Sequence, residues 1–184
     1  LTGGDYSILD HASISWTIDE AFSSRGGKNL TLQRTLISEA LNIADHQNYP
    51  VGTGHGYAAT IGGDIGSFHH NLLAHNAGRN WSLGGGLDGN GYYAGRLDIF
   101  NNVVYNWVSR VTDGGAHEVN FVGNYYKEGA ATTLHGYTLR AQFEGTGKGS
   151  QAYYYHNNVL EAVGGKFTCD GTNDNCGREY SLSG

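Results

Sequence analysis

The sequence predicts an all-β fold, a parallel β-helix in which short strands coil into a solenoid. Two features of the sequence support this: a recurring six-residue segment, and a composition rich in glycine and tyrosine but nearly free of proline. The 184 residues include 30 Gly, 13 Tyr and 1 Pro, and glycine and asparagine tolerate the turns between such strands. We expect one domain over residues 1–184, with coils over about 5–160 and an unassigned tail at 161–184.

A six-residue pattern recurs: an apolar residue, two variable residues, a polar residue and two apolar residues. Its copies are LQRTLI (32–37), FHHNLL (68–73), IFNNVV (99–104), FVGNYY (121–126) and YHNNVL (155–160), after a weaker LDHASI (9–14). The shared polar position falls on Thr35, Asn71, Asn102, Asn124 and Asn158. Equivalent residues of a stacked coil lie about 4.8 Å apart, so these side chains would form a ladder beside an apolar interior.

The uneven spacing of the copies favours a solenoid over a β-sandwich or jelly roll. Sandwich strands tend to recur every 8–12 residues or so, whereas loops of different length on one face explain the uneven spacing here. The stretch TLISEALNIADH (35–46) could form a helix, but it overlaps a repeat strand and stays unassigned.

Charge and hydropathy narrow the classes of function. The net charge of −6 disfavours nucleic acid, which calls for a basic surface, and no apolar run is long enough to span a membrane. An acidic polysaccharide remains compatible, because an acidic chain can hold a local cationic cleft. The chain opens without Met or a signal peptide, which indicates a mature or trimmed chain, or a fragment.

Two cysteines, Cys169 and Cys176, flank the stretch DGTNDN. A disulfide would suit a secreted protein, and two free thiols would suit a reducing compartment. His69 and His70 are neighbours in a predicted strand, where alternate side chains point to opposite faces. We therefore expect that they do not bind one ion together, and a zinc site is not predicted.

Several segments, in order, carry a resemblance to a known family: ILDHASISWTIDEAFS, KNLTLQRTLISEALN, HGYAATIGGDIGSFHHNLLAHNAGRN, IFNNVVYNW and EVNFVGNYYK. They resemble the pectate lyase superfamily, and more narrowly bacterial pectate lyases of polysaccharide lyase family 1. The resemblance implies a single-stranded right-handed parallel β-helix, secretion (extracellular or periplasmic), Ca²⁺ dependence and β-elimination of polygalacturonate.

The resemblance also implies roles for particular residues. Arg79 stands eight residues after Asn71, where the family carries its catalytic arginine. Asp19, with Glu20 beside it, matches a calcium-binding carboxylate. His55 lies about where many relatives carry a lysine that contacts the substrate carboxylate.

The chain departs from the family pattern in two places. Trp81 stands where many relatives have proline, and no second arginine follows closely. Before the matching Asp10-His11 pair only Asp5 could replace a further family pair of calcium ligands. Either the β-helix is truncated or the site is built differently.

The proposed chemistry is consistent with these residue types. β-Elimination removes the proton α to a carboxylate and expels the 4-oxygen, and Ca²⁺ held by Asp and Glu oxygens would neutralise that carboxylate. Neighbouring strand residues diverge, so only one of Asp19 and Glu20 is expected as a direct ligand. Arginine is an unusual base because its pKa is high, and Arg79 could instead pair with a substrate carboxylate. His55 or His75 would be a more conventional base, or either could pack structurally.

Four residues are predicted to contact the substrate: His75, Asp64, Trp81 and Tyr92. The last two lie in a Gly-rich loop at 80–96, where aromatic faces could stack on sugar rings or pack among themselves. Three functions remain open: a lyase, a glycoside hydrolase using carboxylates such as Asp19, Asp64 and Asp88, and a non-catalytic carbohydrate-binding or structural β-helix. We expect a monomer that binds an acidic polysaccharide, without nucleic acid or membrane partners.

Overall fold

The computed structural model describes residues 4–83, 87–142 and 148–169 and shows an all-β protein. Within these residues the chain forms 18 strands and no helix. The stretch 35–46, which could have formed a helix, is not helical either. The strands make three stacked sheets, in which every pairing is parallel except one at the C-terminal end. This confirms the predicted parallel β-helix.

The chain visits the three sheets in the same order in each turn of the coil. The first sheet holds β1 (Ile8–Asp10), β4 (Lys28–Gln33), β7 (Asp64–His69), β10 (Arg96–Phe100), β13 (Glu118–Val122) and β16 (Ala152–His156). The second holds β2 (Ser13–Ser15), β5 (Leu36–Ser38), β8 (Leu72–Ala74), β11 (Val103–Tyr105), β14 (Tyr125–Lys127), β17 (Asn158–Ala162) and β18 (Gly165–Cys169). The third holds β3 (Phe22–Ser23), β6 (Ala59–Ile61), β9 (Ser82–Leu83), β12 (Thr112–Gly114) and β15 (Leu139–Ala141).

The six-residue repeat covers the turn from the first sheet to the second. Its polar residues form the predicted ladder, in which each asparagine side chain accepts the backbone N–H of the ladder residue in the preceding turn. The residue just before each ladder position has a positive φ, which redirects the chain between the sheets. These residues are Arg34, His70, Asn101, Gly123 and Asn157, and His11 has a positive φ at the matching place of the weaker first copy.

The interior of the coil is a stack of apolar side chains. Leu32, Phe68, Ile99 and Phe121 occupy equivalent positions in successive first-sheet strands and are fully buried or nearly so. Aliphatic and aromatic side chains of the other two sheets pack against this column. Each buried side chain of this size contributes roughly 1.5–3 kcal/mol relative to exposure, which makes the stack the main source of stability.

The expectation that His69 and His70 face opposite sides is wrong. Alternation holds only for extended backbone, and His70 has a left-handed conformation with φ of 55°. The two rings therefore turn toward each other, and their Nδ1 atoms lie 2.8 Å apart.

At the C-terminal end β18 runs antiparallel to β17 and lies at the edge of the second sheet. The predicted pairing of Cys169 with Cys176 falls outside what the structure describes. Across the described residues, the chain has no helix long and apolar enough to cross a membrane.

Candidate active site

The predicted catalytic arginine lies in the turn that joins the second sheet to the third. Arg79 follows β8 and precedes β9, and its backbone is left-handed with φ of 51°. The equivalent turns of the two preceding coils carry Asp19 and Glu20 before β3, and His55 and Tyr57 before β6. Because these turns stack, residues far apart in the sequence meet at one end of the third sheet.

Glu20 is the centre of the charge network in this cleft. Its side chain is mostly buried, and its Oε1 accepts hydrogen bonds from Thr60 Oγ1 at 2.7 Å and from Arg25 at 3.1 Å. Arg79 donates to the same oxygen through Nη1. These charge-assisted bonds hold the guanidinium of Arg79 at the edge of the third sheet.

Asp19 lies beside Arg79 and faces two histidines. Its Oδ1 is 3.9 Å from Arg79 Nη1 and 3.0 Å from His55 Nε2, and its Oδ2 is 3.5 Å from His46 Nε2. The His55 contact is short but lacks hydrogen-bond geometry, and among the described residues this buried Nε2 has no hydrogen-bond partner. The ring itself is held by stacking on Tyr49, with the centroids 4.2 Å apart.

A second arginine reaches the cleft from the next coil. The guanidinium carbons of Arg79 and Arg110 lie 4.2 and 5.6 Å from the ring centroid of Tyr57. Two hydrogen bonds of 2.6 and 2.7 Å join Arg110 to Asp113. Arg110 follows Arg79 at the same spacing that separates two successive ladder asparagines, so it is the equivalent residue of the following turn.

The two arginines differ in their electrostatic environment. Burial is the main cause that lowers the pKa of Arg79, and repulsion from Arg110 adds to it, while Asp19 and Asp113 act in the opposite direction. The hydrogen bonds to Asp113 raise the pKa of Arg110. Arg110 is therefore held as a cation, and Arg79 is the one of the two that loses its proton more readily.

The expectation that Asp19 and Glu20 diverge is wrong. They lie in a turn before β3 rather than inside a strand, so the alternation of strand side chains does not apply. Both carboxylates approach the guanidinium of Arg79.

The carboxylates of Asp19 and Glu20 are suitable ligands for a hard cation, but two carboxylates are fewer ligands than such a cation needs. Ca²⁺ takes about six to eight oxygen ligands, and the described residues contain no group of three or more His, Cys, Asp or Glu side chains arranged to hold a metal ion. The three hydrogen bonds to Glu20 all involve Oε1, and Asp19 Oδ2 meets His46 only at 3.5 Å. The atoms best placed to hold a cation are thus Glu20 Oε2 and Asp19 Oδ2, with further ligands from water, substrate or other parts of the protein.

Trp81 does not line the cleft, so its predicted contact with substrate is wrong. It is fully buried, and its ring centroid lies 5.8 Å from that of Phe68 in the core. One residue before β9, its side chain points into the solenoid, where burial of a large aromatic ring stabilises the fold.

Asp64 lies at the other end of the third-sheet strands, because it follows β6 while Arg79 precedes β9. Two hydrogen bonds of 2.7 and 2.6 Å join it to Arg96, which holds the pKa of the Asp64 carboxyl below its usual range. Asp88 accepts backbone N–H groups of its own loop. The carboxylates considered for a hydrolase therefore have separate partners in separate places.

The other two predicted substrate residues also have partners of their own. His75 Nδ1 lies 2.8 Å from Asn106 Nδ2. Tyr92 is 51% exposed, with the Lys148 ammonium 6.0 Å from its ring. No contact described by the structure joins either residue to Arg79, and their roles stay predictions.

Sequence reasoning missed several members of the cluster. Arg25 and His46 lie outside the segments that carry the resemblance, whereas Tyr57 and Thr60 lie inside one of them but drew no role. Only the folding of their turns brings these four residues to the cleft. Arg110 could have been predicted from the sequence, because its spacing from Arg79 equals the spacing of two successive ladder asparagines.

No family model matches the chain, but curated proteins do. A protein named "Probable pectate lyase C" from Neosartorya fischeri is 32% identical over 150 residues, 77% of this chain and 31% of the relative. Proteins of the same name from Aspergillus terreus and Aspergillus fumigatus are also 32% identical, over 142 and 149 residues, 73% and 77% of this chain and 29% and 31% of the relatives. This chain spans less than a third of the length of these relatives. Its sequence similarity and its three-sheet parallel coil agree, and the chain belongs to a pectate lyase-like family.

Proposed function

We propose that this chain carries the catalytic cleft of a polysaccharide lyase that cleaves polygalacturonate, or a related uronan, by Ca²⁺-dependent β-elimination. One observation carries the proposal: Arg79, with a lowered pKa, lies against two carboxylates and beside a second arginine. The name shared by the relatives supports the substrate class. Secretion, which the resemblance implies, belongs to the same proposal.

The cationic side chains of the cleft would bind and orient a uronate. Arg110, held as a cation by Asp113, suits a substrate carboxylate, because a guanidinium matches carboxylate geometry. Tyr57 contacts the guanidinium groups of both arginines through its ring. A carboxylate bound at Arg110 would bring its α carbon toward Arg79.

Arg79 is the proposed base. Its guanidine nitrogen takes the proton from the carbon α to the carboxylate, the C–H electrons form the new double bond, and the C–O bond to the 4-oxygen breaks. Burial and Arg110 favour the neutral form that accepts this proton, whereas the contact with Glu20 favours the cation. Calcium bound by Asp19 and Glu20 would neutralise these carboxylates and the substrate carboxylate.

His55 is the second proposed catalytic residue. Its buried Nε2 lies 3.0 Å from Asp19 Oδ1 without a hydrogen-bond partner in the described chain, and we assign it as the group that donates a proton to the leaving oxygen. Donation of that proton completes the elimination, since the departing 4-oxygen becomes a hydroxyl.

The test follows the ultraviolet absorbance of the unsaturated product on polygalacturonate, with Ca²⁺ and with chelator. Arg79→Ala should lower kcat by about 10²–10⁴-fold, the usual contribution of a positioned base. Arg34→Ala removes an exposed arginine in the turn between the first and second sheets and should leave the rate unchanged. New reducing ends without absorbance would indicate a hydrolase, and binding without any product would indicate a non-catalytic carbohydrate-binding role.

A further inference from the structure

The His69–His70 pair is a cluster of metal-binding atoms that the proposed lyase chemistry does not use. His69 ends β7, and His70 follows it in the turn toward the second sheet, whereas the Arg79 cleft lies in the turn from the second sheet to the third. The Nδ1 atoms of the two rings lie 2.8 Å apart. We propose that this pair binds a divalent transition metal ion that prefers tetragonal coordination, Cu²⁺ or Ni²⁺, through both Nδ1 atoms.

The distance between the two nitrogens selects the class of metal. Metal–imidazole bonds of about 2.0–2.1 Å would make an angle of roughly 85° at an ion held by both atoms. This is close to the right angle of tetragonal coordination, whereas a tetrahedral ion such as Zn²⁺ would need nitrogens about 3.3 Å apart. Calcium is excluded because it takes oxygen ligands.

Packing holds one ring and leaves the other accessible. His69 lies flat against Phe100, with ring centroids 4.6 Å apart and planes 19° apart. His70 is exposed and nearly perpendicular to His69, at 86°. In the absence of metal the two Nδ1 atoms share a hydrogen bond, and a metal ion bound by both would replace that shared proton.

The charges around the pair permit a cation. Arg34 repels a positive charge at His69 and Asp10 attracts one, and these two side chains lie 3.9 Å from each other. Burial and the neighbouring His70 lower the pKa of His69. No third His, Cys, Asp or Glu side chain of the described residues joins the pair, and water would complete the coordination.

The experiment titrates the full, untagged chain with CuCl₂, NiCl₂ and ZnCl₂ by calorimetry, with paramagnetic resonance spectra of the copper form. We expect one copper ion bound through two nitrogen donors, and tighter binding of nickel than of zinc. His70→Gln should weaken copper binding about tenfold or more, because even loss of residues behind a metal ligand costs this much. His156→Gln, which alters an exposed histidine of the same sheet, should leave it unchanged.

Three outcomes would overturn the proposal: unchanged copper affinity in the folded His70→Gln variant, a copper spectrum with a single nitrogen donor, or tighter binding of zinc than of nickel. Circular dichroism verifies the fold of each variant. Since the readout is metal binding, failure here leaves the proposed lyase function untouched, and an inactive lyase leaves this site untouched.

Discussion

Arg79 and Arg110 show how two residues of one type acquire different chemistry within one cleft. Arg110 donates two hydrogen bonds to Asp113 from one edge of its guanidinium, through Nε and Nη2, and these bonds stabilise its charge. Arg79 is half-buried beside that fixed cation, and both the partial burial and the repulsion oppose its own charge. The proposed division into a substrate-binding arginine and a basic arginine follows from this asymmetry.

Removing the charge of Arg110 should shift the pH dependence of catalysis. In the double variant Arg110→Gln, Asp113→Asn, Arg79 loses both the repulsion from Arg110 and the smaller attraction to Asp113. On balance the pKa of Arg79 rises, and less of it is neutral at a given pH. The rising limb of kcat against pH should therefore move to higher pH. Arg110→Lys keeps the charge, so the rising limb of its pH profile should stay where it is in the wild type. If the rising limb of the double variant did not move either, the role assigned to Arg110 would be contradicted.

His69 should make folding stability depend on pH. Burial, the main cause, and then His70 lower its pKa in the folded protein from the usual 6.5. The unfolded chain therefore binds more protons in this range, and the free energy of unfolding should fall as the pH drops below about 6.5. Urea titrations at several pH values compare the wild type with His69→Gln, in which this part of the decline should disappear. An equal decline in both proteins would refute the assignment.

At the scale of elements, the turn between the first and second sheets is the most regular part of the protein. Asn102 is buried and bonded on both sides: its Oδ1 accepts from the backbone and side chain of Asn71, and its Nδ2 donates to Phe68 O and Asn124 Oδ1. Such a residue satisfies buried backbone groups of neighbouring turns, which water cannot reach. Recurrence of the amide was therefore a reliable sign of the turn.

Breaking the middle of the ladder should destabilise the whole coil. Asn102→Ala removes the acceptor of the buried Asn71 N–H and the donor that Asn102 gives to the Phe68 carbonyl, at a cost of about 2–4 kcal/mol in the free energy of unfolding. Thr35→Ala removes only a bond from Thr35 Oγ1 to its neighbour Gln33, and should cost about 1 kcal/mol or less. Denaturant titration measures both, and equal losses would show that the ladder is not a cooperative element.

At the scale of the whole molecule, a parallel coil has open edges at both ends. β18 turns back antiparallel and pairs with β17 over five residues, from Asn158 to Ala162. An unpaired strand edge invites association with other chains. This hairpin therefore covers the outer edge of β17 and leaves β18 as the edge strand of the second sheet.

Removal of the hairpin strand should cause self-association. A chain ending at Val163 exposes the backbone edge of β17, and we expect concentration-dependent oligomers in size-exclusion chromatography with light scattering. Adding Val159→Lys to the shortened chain places a charge on that edge and should suppress them. If the shortened chain eluted like the full chain at all concentrations, the hairpin would have no protective role.

The sequence by itself determined the fold class and the ladder, because these depend on a local pattern repeated along the coil. It singled out Arg79 through the resemblance to a known family, and the role of this residue stays a prediction. The tertiary structure alone decided which side chains meet. Left-handed residues such as His70 redirect neighbouring side chains, Trp81 turns inward, and stacked turns of unequal length bring Glu20 and Arg110 to Arg79. Such contacts depend on the direction in which each turn leaves its strand, and that direction is set by packing between coils rather than by the residues of one turn.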